Sequence, residues 1–290
     1  MKQTILRSAL AALFFAGLTN AVAAQSSYAD RLAETRANYA SDSWATGTVR
    51  DGLPVAGIVP AGMKSAALEV SEGLLELRLL PADAPLGARP LIQVQAKVGA
   101  TGPEAREMLV HWLANLSSQR LAPEDSAFGV ELGEAGYVGP SGAADRAVSW
   151  VAFVRGNVAV RLLNVDLKGN PELDLLAVAS HVDAALQTRP ALKPGQALSR
   201  PAIAKLAAAS SAVTAGTPVL LSTTVTEPAG DLPTLTWTVG GSAQGYVESR
   251  GDQWYFFPTG PGEARVTLKA IGSNGTSTAS TMTLSVADDD

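Results

Sequence analysis

The hydrophobic period changes once along this chain, and that change constrains its architecture most. Before residue 189, apolar residues recur both in alternation and at helical spacing. Over 211–287 the helical spacing vanishes, leaving short alternating runs rich in Thr, Val, Ser and Gly. Alternation over four to eight residues marks a half-buried strand, whereas a 3.6-residue period marks an amphipathic helix. The sequence therefore predicts an α+β domain over 53–189, built as an antiparallel sheet with two amphipathic helices. An all-β sandwich over 211–287 follows it. Between them, 190–210 reads as a Pro/Ala-rich linker stiffened by Pro190, Pro194 and Pro201. Within it, 202–209 reads as a short helix with little to bury.

The first 24 residues have the order of a secretory signal. Lys2 and Arg7 form a positive start, 9–18 is an apolar run too short to span a bilayer, and Ala21, Val22, Ala23 and Ala24 supply small residues for cleavage. The mature chain is expected to start near Gln25 and to be periplasmic or extracellular. Removing 24 of 290 residues leaves 266 and takes Lys2 and Arg7 away, so the net charge moves from −5 to −7. No basic cluster remains, so nucleic acid and anionic lipid are not expected partners. No later stretch is apolar for long enough to cross a membrane. The chain has no cysteine. In an exported protein that removes disulfide staples, so each domain must be held by its hydrophobic core. It also removes thiol nucleophiles, thiolate metal sites and covalent haem attachment.

Residues 25–52 are poorly patterned; Tyr28, Leu32 and Tyr39 fit one side of a short helix. Over 74–80, Leu75, Leu77 and Leu79 alternate with Glu76 and Arg78. Over 91–98, Ile92, Val94, Ala96 and Val98 alternate with Gln93, Gln95 and Lys97. The two runs predict an antiparallel pair with one wet face. Thr101 and Glu104 form a capping box with Pro103 in the first turn, and Ala105, Met108, Leu109, Trp112, Leu113 and Leu116 follow at helical spacing. Met108 and Trp112 read as core. Residues 131–138 form a further strand candidate.

The sharpest local signal is a hairpin. Val148–Arg155 and the run 158–165 flank Gly156-Asn157, a two-residue turn type. Counting from that turn pairs Phe153 with Val160 and Val151 with Leu162 on the core side. The other side pairs Trp150 with Leu163 and Ala152 with Arg161. Trp150 and Arg161 are the aromatic and polar features of this second face and are the candidate ligand-binding residues. Asn170-Pro171 opens a second helix with the stripe Leu175, Leu176, Ala179, Val182 and Leu186. His111 and His181 fall on the outer sides of the two helices.

In the C-terminal part, Val219, Leu221 and Val225, then Leu235, Trp237 and Val239, then Trp254 and Phe256, alternate on successive strands. Val266, Leu268 and Ala270, and finally Met282, Leu284 and Val286, continue the pattern. Turns at 227–230 and 272–275 separate strands at sandwich spacing. An acidic tail, 288–290, closes the chain. The segments Leu235-Thr236-Trp237-Thr238-Val239 and Ala264-Arg265-Val266-Thr267-Leu268-Lys269-Ala270, with Asn274-Gly275 and 282–286, resemble bacterial immunoglobulin-like and polycystic-kidney-disease (PKD) modules. Where PKD repeats carry Trp-Asp-Phe-Gly-Asp-Gly, this chain reads Trp237-Thr238-Val239-Gly240-Gly241, without the acids. The resemblance implies an immunoglobulin-like sandwich that acts as a spacer or contact surface, with Trp237 in its core.

No catalytic residue is assigned. There is no Gly-x-Ser-x-Gly elbow, no phosphate loop with its Lys, and no Asp-x-Asp-x-Asp-Gly run. Glu124-Asp125, Glu131 with Glu134, and Asp166 read as surface acids. Asn115-Leu116-Ser117 and Asn274-Gly275-Thr276 match glycosylation acceptors. No metal and no cofactor are expected. The sequence points first to an exported, non-enzymatic binding or interaction protein whose partner is a protein or polysaccharide of the cell envelope. A secreted hydrolase of polysaccharide or peptide, with the sandwich as accessory module, needs a carboxylate dyad. A structural envelope component is the third reading.

Overall fold

The computed structural model describes residues 27–39, 47–71, 74–85, 87–116, 119–121, 130–140, 148–165, 173–228 and 233–288. The signal-like segment, Glu124-Asp125, Asp166 and Asn170-Pro171 lie outside them. The order is α1 (Tyr28–Tyr39), β1 (Met63–Ser71), β2 (Leu74–Pro81), β3 (Ile92–Val98), α2 (Gly102–Leu113), β4 (Gln119–Leu121), β5 (Ala135–Pro140), β6 (Val148–Arg155), β7 (Val158–Asn164) and α3 (Leu175–Leu186). Eight further strands follow: β8 (Ala202–Ala208), β9 (Ala212–Thr214), β10 (Val219–Thr226), β11 (Thr234–Gly241), β12 (Gly245–Arg250), β13 (Gln253–Pro258), β14 (Gly262–Ile271) and β15 (Ser277–Ala287).

The first seven strands form one antiparallel sheet in the order β1-β2-β3-β7-β6-β5-β4. The expected pairings hold: Leu77 lies opposite Val94, Phe153 opposite Val160, Val151 opposite Leu162, Trp150 opposite Leu163 and Ala152 opposite Arg161. Register follows the turn, because a slip by one residue would move every apolar side chain to the wrong face. Gly156 takes φ +58, and a Cβ there would sit 2.0 Å from Thr48 O. Strands β1 and β4 were not legible in advance, and β5 begins at Ala135, four residues after the expected start.

Both faces of the sheet are covered over β6 and β7. On one face, Leu175, Val178, Ala179, Val182 and Leu186 of α3 join Leu75, Leu77, Val94, Phe153 and Leu162 in the larger core. On the other, Ala105, Leu109, Val110 and Leu113 of α2 pack with Tyr137, Trp150, Ala152 and Val154. Helix α1 adds Leu32 and Tyr39 to that second core. Its remaining attachment to α2 is polar: Arg36 pairs with Glu107, Arg31 donates to Ala114 O at 3.2 Å, and Tyr28 Oη meets His111 Nδ1 at 2.6 Å. Helix α3 starts at Leu175, capped by Asp174, which accepts from Ala177 N at 2.9 Å. The expected Asn170 cap is therefore corrected. At α2, Thr101 makes no side-chain cap bond and Glu104 accepts from Ala100 N at 2.8 Å rather than from the Thr101 N–H, so the expected capping box is corrected to a single bond from the residue before the cap.

The last eight strands make two four-stranded sheets, β12-β13-β10-β8 and β11-β14-β15-β9, antiparallel except where β9 pairs with β15. Val219, Leu221 and Phe256 from one sheet meet Val266, Leu284 and Val286 from the other in a shared core. The arrangement is sandwich-like, and neither sheet closes. Residues 202–208, expected as linker or short helix, are strand β8 paired along β10. An Ala-rich segment has high helix propensity, but backbone pairing along the β10 edge decides otherwise. The linker proper therefore ends before Ala202.

The two parts meet at a polar seam. The loop 272–276 is tucked against the first domain and the linker. Asn274, only 3 % exposed, donates to Asp51 Oδ1 at 3.0 Å and to Ser199 O at 2.9 Å. Leu53 N donates to Ser273 Oγ at 3.3 Å, Ser199 N to Asp51 Oδ1 at 3.1 Å, and Thr276 Oγ1 to Ser199 O at 2.6 Å.

Candidate ligand-binding face

Sheet register builds the candidate site. Arg161 of β7 lies opposite Gln95 of β3, which lies opposite Glu76 of β2. Directly opposed residues share a face, so the three side chains form one row across three strands. Arg161 donates to Gln95 Oε1 through Nε at 3.1 Å and through a terminal nitrogen at 2.5 Å. Gln95 Nε2 donates to Glu76 Oε2 at 3.1 Å, and Arg78 Nε donates to Glu76 Oε1 at 3.1 Å. The Arg161 guanidinium sits 5.3 Å from the ring centroid of Trp112 on α2, within cation–π range.

The row lies where helix cover ends. Helix α2 contacts β7, β6 and, more thinly, β3. Beyond it, Glu76, Gln93, Gln95 and Lys97 are half-buried and Arg78 is exposed. Burial would raise the Glu76 carboxyl, but hydrogen bonds from Gln95, Gln93 and Arg78 outweigh it and hold the group below the usual carboxylate value. Burial lowers the Arg161 guanidinium, partly offset by the Glu76 charge; a guanidinium stays protonated at any physiological pH.

Of the two expected site residues, the structure separates one from the other. Arg161 is half-buried at the edge of the open face. Trp150 is 6 % exposed and lies in the core beneath α2. The open outer face expected beside Trp150 is thus corrected: α2 covers it, and a Cβ on Gly139 would come within 1.7 Å of the Trp150 Nε1. The aromatic neighbour of Arg161 is instead Trp112, read from sequence as core. Its position was available from spacing. Met108 and Trp112 are four apart along one flank of α2, and both are only partly buried.

The remaining chemistry is tied up or outward. Asp183, 5 % exposed, accepts Arg155 at 2.7 and 2.5 Å and Gly133 N at 3.2 Å. That bond raises Arg155 above its usual value against the opposing effect of burial. Glu134 accepts Gly156 N at 2.7 Å, and Glu131 is exposed. His181 is exposed, with Nε2 2.8 Å from Gly57 O, while His111 is half-buried beneath Tyr28. Among the described residues, no group of three or more His, Asp or Glu side chains is disposed to hold a metal, and no helix is long and apolar enough to cross a membrane.

Arg161 carries the chemical information. Its hydrogen bonds end on one neutral amide oxygen, and among the described residues no carboxylate stands within ion-pair distance. A partly desolvated cation with unused N–H donors beside an indole suits an incoming anionic group. No protein-family model matches the chain, and no curated protein matches it in sequence.

Proposed function

We propose that this chain is an exported, non-enzymatic binding or interaction protein. It would engage a carboxylate-bearing partner, an acidic protein segment or acidic polysaccharide of the cell envelope, at the Arg161–Trp112 edge. The C-terminal part is proposed to be an immunoglobulin-like module that holds or presents the first domain. The observation that carries the reading is Arg161, half-buried against Trp112 with only a neutral acceptor. Its desolvation is offset fully only when an anion arrives. The export signal at 1–24 supports a periplasmic or extracellular setting.

The test uses the mature chain from Gln25, titrated with acidic peptides and uronate oligosaccharides and followed by thermal shift. A ligand that binds the folded state raises the melting temperature by mass action. Binding is expected to weaken by about tenfold or more in Arg161→Gln and Trp112→Ala, the scale of a centrally placed Arg or Trp contact. An absence of any shift across the panel, or shifts that survive Arg161→Gln, removes the proposal.

A further inference from the structure

Strand lengths in the C-terminal part leave an opening. Strand β10 runs over Val219–Thr226, but β13 pairs with it only at Val219, Leu220 and Leu221. Strand β13 begins at Gln253, after a two-residue turn in which Gly251 takes φ +64. Past that point the β10 edge has no partner from β13. A shallow trough of about 260 Å³ forms there, lined by Lys205, Ser222, Thr224, Asp252, Gln253 and Trp254 among others. Among the described residues, no side-chain hydrogen bond or ion pair engages Lys205, Ser222, Thr224 or Asp252. The trough thus offers hydroxyl, ammonium and carboxylate groups that the fold does not itself use, and the Lys205 and Asp252 charges cancel.

The same face of the sheet continues into an aromatic strip. Gln253 Oε1 accepts from Tyr255 Oη at 2.8 Å, linking trough and strip. Tyr246 and Phe257 stack with centroids 5.1 Å apart and planes 7° apart, and Arg250 lies 4.5 Å from the Phe257 centroid. Tyr246 is 52 % exposed, one of the few large hydrophobic side chains left outside.

We infer that this trough and strip form a second binding site, distinct from the Arg161 edge, for a segment of neutral polysaccharide. The ligand must offer many hydroxyls to a polar trough without net charge, and apolar ring faces to tyrosines beyond it. A chain of pyranose units has both surfaces on every unit. The trough lies below the ~300–1,000 Å³ of a drug-sized pocket, which fits one sugar ring, and the open end toward Tyr255 and Tyr246 fits its continuation. Aromatic rings with a polar handle serve such half-apolar ligands.

The experiment takes the mature chain and measures calorimetric titration with cellohexaose, chitohexaose and maltohexaose, plus migration in gels containing the parent soluble polymers. At least one hexaose is expected to bind. Tyr246→Ala and Asp252→Ala should each weaken it by about tenfold or more, with unchanged melting temperature. Arg161→Gln should leave it unaltered, which keeps the result separate from the fate of the Arg161 edge. No binding to any of the three sugars overturns the inference. So does binding that survives Tyr246→Ala and Asp252→Ala, or binding abolished by Arg161→Gln.

Discussion

Asn157 is fully buried at the tip of the β6–β7 hairpin, and its amide ties two other segments to that tip. Its Oδ1 accepts Arg50 N at 2.7 Å, while Nδ2 donates to Arg50 O at 3.0 Å and Gly99 O at 2.8 Å. Truncation leaves the part-buried N–H and carbonyl of Arg50 and the buried carbonyl of Gly99 without this partner, and a buried unsatisfied group costs ~1–3 kcal/mol. Asn157→Ala is expected to lower stability by ~3 kcal/mol in urea unfolding, far more than a turn residue with an exposed side chain would. Gly139 makes the opposite case, of a residue defined by absent volume. The Trp150 indole occupies the space a Cβ would need. Gly139→Ala should cost ~1–3 kcal/mol, the range for an overpacked core, and shift the tryptophan emission as Trp150 is displaced. The Gly-Asn pair was legible as a turn; the clamp role of Asn157 was not, because its partners lie 107 and 58 residues away.

At the scale of elements, the helices are held in different ways. Helix α3 is fixed by its apolar stripe and by the Asp183–Arg155 fork. Breaking a buried pair strands the other charge. Asp183→Ala is therefore expected to cost ~3 kcal/mol, read as a lower urea midpoint. Helix α1 has a weaker stripe, and Arg36 on Glu107, an exposed pair, adds to its docking. That hydrogen bond holds the Glu107 carboxyl below its usual 4.5 despite the opposing effect of burial. A carboxyl lowered by folding stabilises fully above its unfolded pKa, and that stability is lost as pH falls through the folded value. Acidification below about pH 4.5 should therefore loosen α1 before the sheet, seen as protection from hydrogen exchange, relative to the intrinsic rate at each pH, falling in 28–39 ahead of 148–164. Glu107→Gln should reduce the pH dependence of this protection, leaving the part due to Asp30, whose carboxyl is likewise held low by hydrogen bonds from Ser27. Periodicity disclosed α2 and α3 because each buries a wide stripe. It disclosed neither which sheet face α2 would take nor strand β8, whose Ala-rich sequence acquires its form from the β10 edge.

Across the whole molecule, the seam of Asp51, Leu53, Ser199, Ser273, Asn274 and Thr276 joins the two parts through hydrogen bonds rather than apolar area. Buried polar networks are strong when complete and fail together when one member is removed. The intact chain is expected to melt in one calorimetric transition. Asn274→Ala should split it into two, with little change in either isolated core. A single unchanged transition in that variant would show that the seam does not couple the parts.

The sequence by itself determined the local features: the strand and helix periods, the Gly156-Asn157 register, the core sides of β2, β3, β6 and β7, and the β-rich C-terminal part. These follow from spacing along one chain, where side-chain direction repeats every two or 3.6 residues. Tertiary structure decided which face was covered and which stayed open. It buried Trp150 and placed Trp112 beside Arg161, and it set Asn274, read from the sequence as a turn residue, at the centre of a seam. Those outcomes depend on elements meeting across many residues, and a period along the chain records only that a side chain faces inward, not which element meets it there.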